Sequence, residues 1–281
     1  EKVELYPYAQ ITRNQKPILE AGSMSGTLIL NDGFIGVFNE DLKEYDYDDI
    51  EDKKKEHNAE NGWLGITDKY WITALVPEEN QSFKGEFVYK GNAFKANYIL
   101  NKPVIVSPSS SSTSNTKIFV AAKEVKVIDG YAESEKINKF DLTIDWGWLY
   151  FLTKPLFFLI SFLFELTKNF GIAIILVTAA VRLLFFPLAN YSFRSMAKMK
   201  ILQPELVRLK ELHKDDKMKL QQEMMALYKR EKVNPLSGCL PILIQIPFFF
   251  AIYKMLLISL EMRHQPFFGW VKDLSAKDPT S

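Results

Sequence analysis

Hydrophobic and polar positions follow two different rhythms along this chain. Over the first 145 residues, short runs rich in Val, Ile, Tyr, Phe and Thr recur between turn residues: Gly26 to Leu30, Phe34 to Phe38, Tyr70 to Val76, Lys84 to Lys90, Ala93 to Leu100, and Lys117 to Val120 with Val125 to Ile128. Runs of this length and spacing predict strands packed as a β-sandwich. The clearest hairpin is Phe87 to Phe94, where Gly91-Asn92 supplies the positive φ that a two-residue turn needs. Two stretches carry too few apolar residues to pack and are expected to be solvated loops: the mixed-charge run Asp41 to Glu60 and the Ser-rich tract Ser107 to Ser114.

Beyond residue 145 the apolar runs lengthen. Phe170 to Leu188 contains one charge, Arg182, and one other polar side chain, Thr178. As a helix it is roughly 28 Å long, close to the hydrocarbon thickness of about 30 Å, and predicts a membrane span. Cys239 to Leu260 predicts a second span, interrupted by Pro241, Gln245, Pro247, Lys254 and Ser259. Pro247 lacks the N–H that would bond to the Leu243 carbonyl, so a kink is expected there. Pro155 to Leu166 is a shorter run followed by Lys168-Asn169 and preceded by Trp146, Trp148, Tyr150 and Phe151. It reads as an interfacial helix over 146–168; the other reading is the start of one tilted span that buries Glu165 and Lys168.

Between the spans, residues 190–236 carry 11 Lys+Arg against 6 Asp+Glu. A short loop this basic is held on the cytoplasmic side. The expected topology follows: 1 to about 168 outside, 170–188 crossing inward, 190–236 inside, 239–260 crossing outward, and 261–281 outside again. Met196, Met199, Leu202, Leu206, Leu209 and Leu212 recur at helical steps, as do Leu220, Met224 and Leu227 after the polar break Lys214-Asp215-Asp216. These two stripes predict a helical hairpin. Its methionines, Met196, Met199, Met224 and Met225 among them, fit either a seam between the two helices or an adaptable apolar surface for client segments.

Charge sharpens the division. The chain has 281 residues and a net charge of +1. That balance conceals 17 Lys+Arg against 24 Asp+Glu in residues 1–145, and 18 against 10 in residues 146–281. An acidic half and a basic half are what opposite sides of a membrane would select. One cysteine, Cys239, excludes a disulfide framework or a Cys-rich zinc site. The sequence contains no Gly-rich phosphate loop, no G-x-S-x-G and no H-E-x-x-H, and His57, the one histidine of the β half, lies in the charged run. No enzyme chemistry, cofactor or metal is therefore expected.

Arg182 is the most informative residue. An arginine near a helix centre costs about 2.5 to 3.5 kcal/mol on insertion scales, while the twelve Phe, Ile, Leu and Val of this span return roughly 4 to 7. The helix can insert with it, but insertion gives no reason to have it. One reading is that the side chain snorkels to the cytoplasmic headgroups. The other uses Thr178, one turn earlier on the same face, with Gln245 and Pro247 in the second span, to form a hydrated cavity open to the cytoplasm.

The residues that carry a resemblance now stand together. Val181-Arg182, the run Tyr191 to Met199, Leu202-Gln203-Pro204, the run Gln222 to Lys229, the run Lys232 to Pro241, Leu243 to Pro247 and Asp273 to Pro279 closely resemble the YidC/Oxa/Alb membrane protein insertases. Asn61 to Gly65 and Tyr70 to Ala74 resemble the late part of that family's periplasmic domain. The resemblance implies an α+β membrane protein of the bacterial inner membrane. It would comprise a periplasmic β-sandwich (1–145) of mutarotase-like shape and an insertase core (146–281) with an interfacial helix, two transmembrane helices and a cytoplasmic hairpin. It implies a hydrophilic groove in which Arg182, Thr178, Gln245, Pro247 and Phe249 meet the polar stretch of an inserting chain. It also implies nascent membrane proteins, the Sec translocon, the ribosome and the bilayer as partners. Relative to the family pattern, a first span is expected ahead of Glu1 and three more after Ser281, which makes this chain a fragment. Two other classes compete: a channel or transporter in which the arginine selects solutes, and a membrane-anchored sugar-binding protein built on the β half.

Overall fold

A computed structural model describes residues 2–17, 32–79, 81–214, 216–231, 233–234, 238 and 240–276. The strand expected at Gly26 to Leu30, Cys239 and the end of the chain from Lys277 lie outside the described residues. The chain forms two compact units, Glu1–Tyr150 with Leu256–Arg263, and Phe151–Met255 with His264–Ser281.

The first unit is a β-sandwich. Its strands are β1 (Val3–Leu5), β2 (Tyr8–Arg13), β3 (Gly33–Phe38), β4 (Asp41–Asp46), β5 (Lys55–Ala59), β6 (Gly62–Thr67), β7 (Trp71–Pro77), β8 (Phe83–Tyr89), β9 (Phe94–Leu100), β10 (Val104–Val106) and β11 (Thr116–Ala122). One sheet has the order β11-β7-β6-β3-β4, the other β2-β9-β8-β5, and β1 pairs with β10; every pairing is antiparallel. The alternation of apolar residues explains the layering, because side chains at every second strand position point to one face. Phe34, Leu64, Ile66 and Leu75 of the first sheet meet Phe83, Phe87, Phe94, Ala96 and Tyr98 of the second in one buried cluster. The predicted hairpin is present, with Tyr89 opposite Phe94 and both Gly91 and Asn92 at positive φ, 64° and 60°.

Two expectations are corrected. The charged run Asp41 to Glu60 is not a loop: it holds β4, α1 (Tyr47–Asp52) and β5. Tyr47, Ile50 and Ala59 are buried in the core and Tyr45 packs against it, and Asp46 with Asp49 forms a capping box at the start of α1. Val125 to Ile128 begins α2 (Val125–Ser134) rather than a strand. Val125 and Ile128 are three apart and both buried, which is helical spacing. The Val125 N–H donates to the Glu261 carboxylate at 3.1 Å, so a carboxylate from elsewhere in this unit satisfies the first turn of α2. The Ser-rich tract is an exposed loop from 108 to 115.

The second unit is helical: α3 (Tyr150–Thr167, which begins in the first unit), α4 (Phe170–Leu184), α5 (Phe186–Leu212), α6 (Lys217–Arg230) and α7 (Leu240–Ile258, which ends in the first unit). Helix α3 has 18 residues and meets the length and composition needed to cross a membrane. The segment read as an interfacial helix is one continuous helix, longer than its apolar run. Thr153 and Lys154 are taken into the helix ahead of Pro155, so the helical run exceeds the apolar run. The span expected at 170–188 is bent by 57° between α4 and α5. The break falls at Phe185, immediately before the first turn of α5, where Pro187 lacks the N–H that would continue the α4 ladder. Among the described residues two helices, α3 and α7, are each long and apolar enough to cross a membrane, and α4 with α5 is so as a bent pair. Helices α5 and α6 form the predicted hairpin, joined across by Arg230 to Glu205 at 2.8 Å, with Asp216 capping α6 through the Lys219 N–H.

Candidate functional site in the helical unit

Helix α4 is built asymmetrically. Its first half is close-packed: Phe170, Gly171, Ala173 and Val177 are buried. Asn169 caps it, accepting from the Ile172 N–H at 3.1 Å. Its second half is open, with Thr178, Ala179, Ala180, Arg182, Leu183 and Leu184 exposed. Thr178 and Arg182 stand one turn apart in this open half. The Thr178 hydroxyl donates back to the Ile174 carbonyl at 2.8 Å, as hydroxyls in apolar helices do. Among the described residues Arg182 has no ion-pair or hydrogen-bond partner. An unpaired guanidinium in the last turn of an apolar helix, next to the bend, offers five N–H donors to whatever enters beside it.

Helix α7 continues through Pro247. Gln245 and Pro247 are half-buried and Phe249 is 68% exposed. The two predicted spans meet at aromatic rings: Phe185, at the bend after α4, packs edge-on against Phe248 of α7 with centroids 4.9 Å apart. Sequence reasoning singled out Phe249 and missed this pair. The ring that joins the helices is the neighbour of Pro247, and Phe249 points away. No hydrogen bond joins Arg182 to Gln245 among the described residues; the helices that carry them meet at the Phe185–Phe248 pair.

The hairpin methionines divide. Met196, Met199 and Met224 are half-buried. Met196 lies against the backbone of Gly238, its Cγ 3.2 Å from where a β-carbon would stand. Met225 is 49% exposed, and Met218, absent from the sequence-based candidates, is 75% exposed. Met218 and Met225 are seven residues apart and so share the outer face of α6, opposite the stripe that ends in buried Leu227. Spacing relative to Leu227 was the signal that separates seam from surface.

In the β-sandwich unit, a cleft of about 1050 Å³ is bordered by Glu60, Glu78, Glu135, Asn115 and Lys117. Several of its polar groups are engaged: Glu135 with Lys117 at 2.6 Å, and Glu78 with Gln81 and Asn115. Among the described residues no group of three His, Cys, Asp or Glu could hold a metal ion.

An acidic antiparallel sandwich, a basic hairpin and apolar helices that meet spanning length define a membrane protein with a folded extracytoplasmic domain. The family described as the YidC periplasmic domain matches residues 1–159, and the 60Kd inner membrane protein family matches 162–281. The membrane protein insertase YidC of Pelagibacter ubique (strain HTCC1062) is 59% identical over 276 residues, covering 98% of this chain and 48% of that protein. Those of Brucella melitensis biotype 1 and Brucella suis biovar 1 are 48% and 47% identical, each covering 99% of this chain and 46% of the relative. The chain thus spans about half the length of the curated relatives it matches. It belongs to the YidC family, and is an inner-membrane protein whose β-sandwich is periplasmic.

Proposed function

We propose that this chain is part of a membrane protein insertase and chaperone, which helps polar segments of nascent inner-membrane proteins across the hydrocarbon layer without covalent chemistry. One observation carries the reading: an arginine without a side-chain partner among the described residues, with a threonine one turn away, in the open half of a helix whose other half is packed. Its relatives' name as insertases supports it. At about 4 Å and an effective dielectric near 20, Arg182 would attract an acidic client residue by about 4 kcal/mol. That is comparable to the about 2.5 to 3.5 kcal/mol which a buried carboxylate costs in a helix centre. Gln245, Pro247 and Phe249 would line the path on α7. Met225, with Met218, would offer the first apolar contact on the cytoplasmic side, and Met196, Met199 and Met224 would hold the hairpin together. The Sec translocon and the ribosome are the partners such a role implies, as the routes by which clients arrive.

The test is Arg182→Ala in the complete protein, with clients that differ in acidic residues in the translocated segment. Insertion of the acidic clients should fall at least tenfold, while a client with an uncharged segment is barely affected. Equal insertion of both would remove the groove role. Solute flux through client-free proteoliposomes, reduced by the same substitution, would instead make the protein a channel.

A further inference from the structure

Packing at the closed end of α4 is unusually specific. The backbone at Gly171 is covered by the ring of Phe267: a β-carbon there would stand 2.1 Å from the Phe267 Cδ2 and 2.7 Å from its Cε2. The ring cannot retreat freely. The Phe267 N–H donates to the Val271 carbonyl at 3.0 Å and Val271 in turn to Phe268, while Leu274 donates to Gln265 at 2.9 Å, so 265–274 is a closed turn. Gly269, at φ 62°, permits its tip. The Asn169 side-chain amide, whose oxygen caps α4, donates to the Phe267 carbonyl at 3.4 Å. Beside it Phe170 stacks on Phe164 with centroids 3.9 Å apart and 21° between planes. Three aromatic rings, a notch and a cap therefore close one end of the helix whose other end exposes Thr178 and Arg182. By the positive-inside argument the closed end is the periplasmic one.

We propose that Phe267, seated in the Gly171 notch, is a positioning residue that stops the periplasmic end of the α4 pathway, so that water and polar chain reach Thr178 and Arg182 from the cytoplasmic side alone. This rests on the groove reading above. A notch with no side chain lets the ring approach the helix backbone closely. Dispersion contacts of a ring against a bare backbone fall steeply with any gap. The seal is accordingly sensitive to one methyl group on either partner.

The experiment uses the complete protein with every native cysteine, Cys239 included, replaced by serine and Thr178→Cys as the single probe, and a membrane-impermeant maleimide applied to inverted or right-side-out vesicles. Labelling is expected in inverted vesicles and protection in right-side-out ones. Phe267→Ala should raise right-side-out labelling by about tenfold, because the rate follows access to the thiol. Gly171→Ala, which displaces the ring, should act in the same direction. The double variant should label no faster than Phe267→Ala alone. Phe267→Leu, which keeps an apolar plug of smaller reach, should label at an intermediate rate and guards against a variant that fails to fold. Normal labelling from the inside with unchanged protection from the outside in Phe267→Ala, Phe267→Leu and Gly171→Ala would overturn the stopper while leaving the groove intact. Absence of labelling from the inside would overturn the groove reading itself, and the stopper with it.

Discussion

Phenylalanine is used in opposite ways in the two units. In the β-sandwich, Phe34, Phe83, Phe87 and Phe94 are buried and their rings interlock, Phe34 to Phe87 at 5.2 Å and Tyr47 to Phe94 at 4.7 Å. In the helical unit, Phe162, Phe186, Phe249 and Phe250 project outward, each more than half exposed. The sequence obeys one rule in both places, which is that rings avoid water. What changes is where water is. Apolar helices whose largest side chains face out have hydrocarbon for a solvent, and their backbone bonds must then close within each helix. The exposed arginine of α4 is anomalous against that background in a way that no exposed lysine of the sandwich is.

The comparison breaks most forcefully where a ring is removed from the sandwich. Phe87→Ala deletes a fully buried side chain touching Phe34, Phe38 and Tyr45. It should lower unfolding stability by about 3 to 5 kcal/mol in denaturant melts of the periplasmic unit. A loss below 1 kcal/mol would mean that the inward rings do not form a close-packed core. A charge separates the two environments next. Ile118 on β11 and Phe250 on α7 are 66% and 53% exposed. Ile118→Asp should change stability by no more than about 0.5 kcal/mol, as exposed substitutions in water do. Phe250→Asp should add roughly 3 kcal/mol to insertion of α7, seen as increased alkaline extraction from membranes. Equal tolerance at both positions would refute hydrocarbon as the solvent around α7. A large loss at Ile118 would show that β11 is covered by further polypeptide.

How much of this could be read from sequence depended on what each element needed from its surroundings. The Gly91-Asn92 hairpin was legible because its turn chemistry is local. So were the hairpin break before α6, since Asp216 caps the residues that follow it, and the singular Arg182. The run from Asp41 was misread because its strands and α1 are held by a few inward residues, Tyr45, Tyr47, Ile50 and Ala59, among many charged ones; composition averages over that difference. Helix α2 was misread since β-branched Val125, Val127 and Ile128 favour strand locally, and the bond from Val125 to Glu261 that favours helix comes from 136 residues away. The bend at Phe185 was signalled by Pro187, which hydropathy alone does not see. The Gly171 notch could not be read, because only the distant Phe267 gives that glycine its meaning.

The smallest effect belongs to protons, and it too distinguishes the units, because its groups lie on the sandwich surface. His57 of β5 stacks beside Tyr45 at 5.9 Å, with its Nε2 2.9 Å from the Tyr45 hydroxyl. Burial, and then the charges of Lys43 and Lys55, push its pKa below the usual histidine value. The neighbouring Glu56 is held down to about 2 by hydrogen bonds from Lys54 and Lys84. Both groups are depressed in the folded state, so each contributes stability above its unfolded pKa and loses it as pH falls through the folded one. For His57 the loss starts near its unfolded value of about 6.5, and for Glu56 it lies between about 4.3 and 2. Both contributions are small because the groups are largely solvated. Denaturation midpoints measured from pH 8 to pH 3 should therefore fall in two shallow steps. His57→Gln should remove the upper step and Glu56→Gln the lower. If His57→Gln leaves the upper step in place, the proton that destabilises the sandwich near neutrality binds elsewhere, and the stacked, neutral imidazole is not what the fold depends on there.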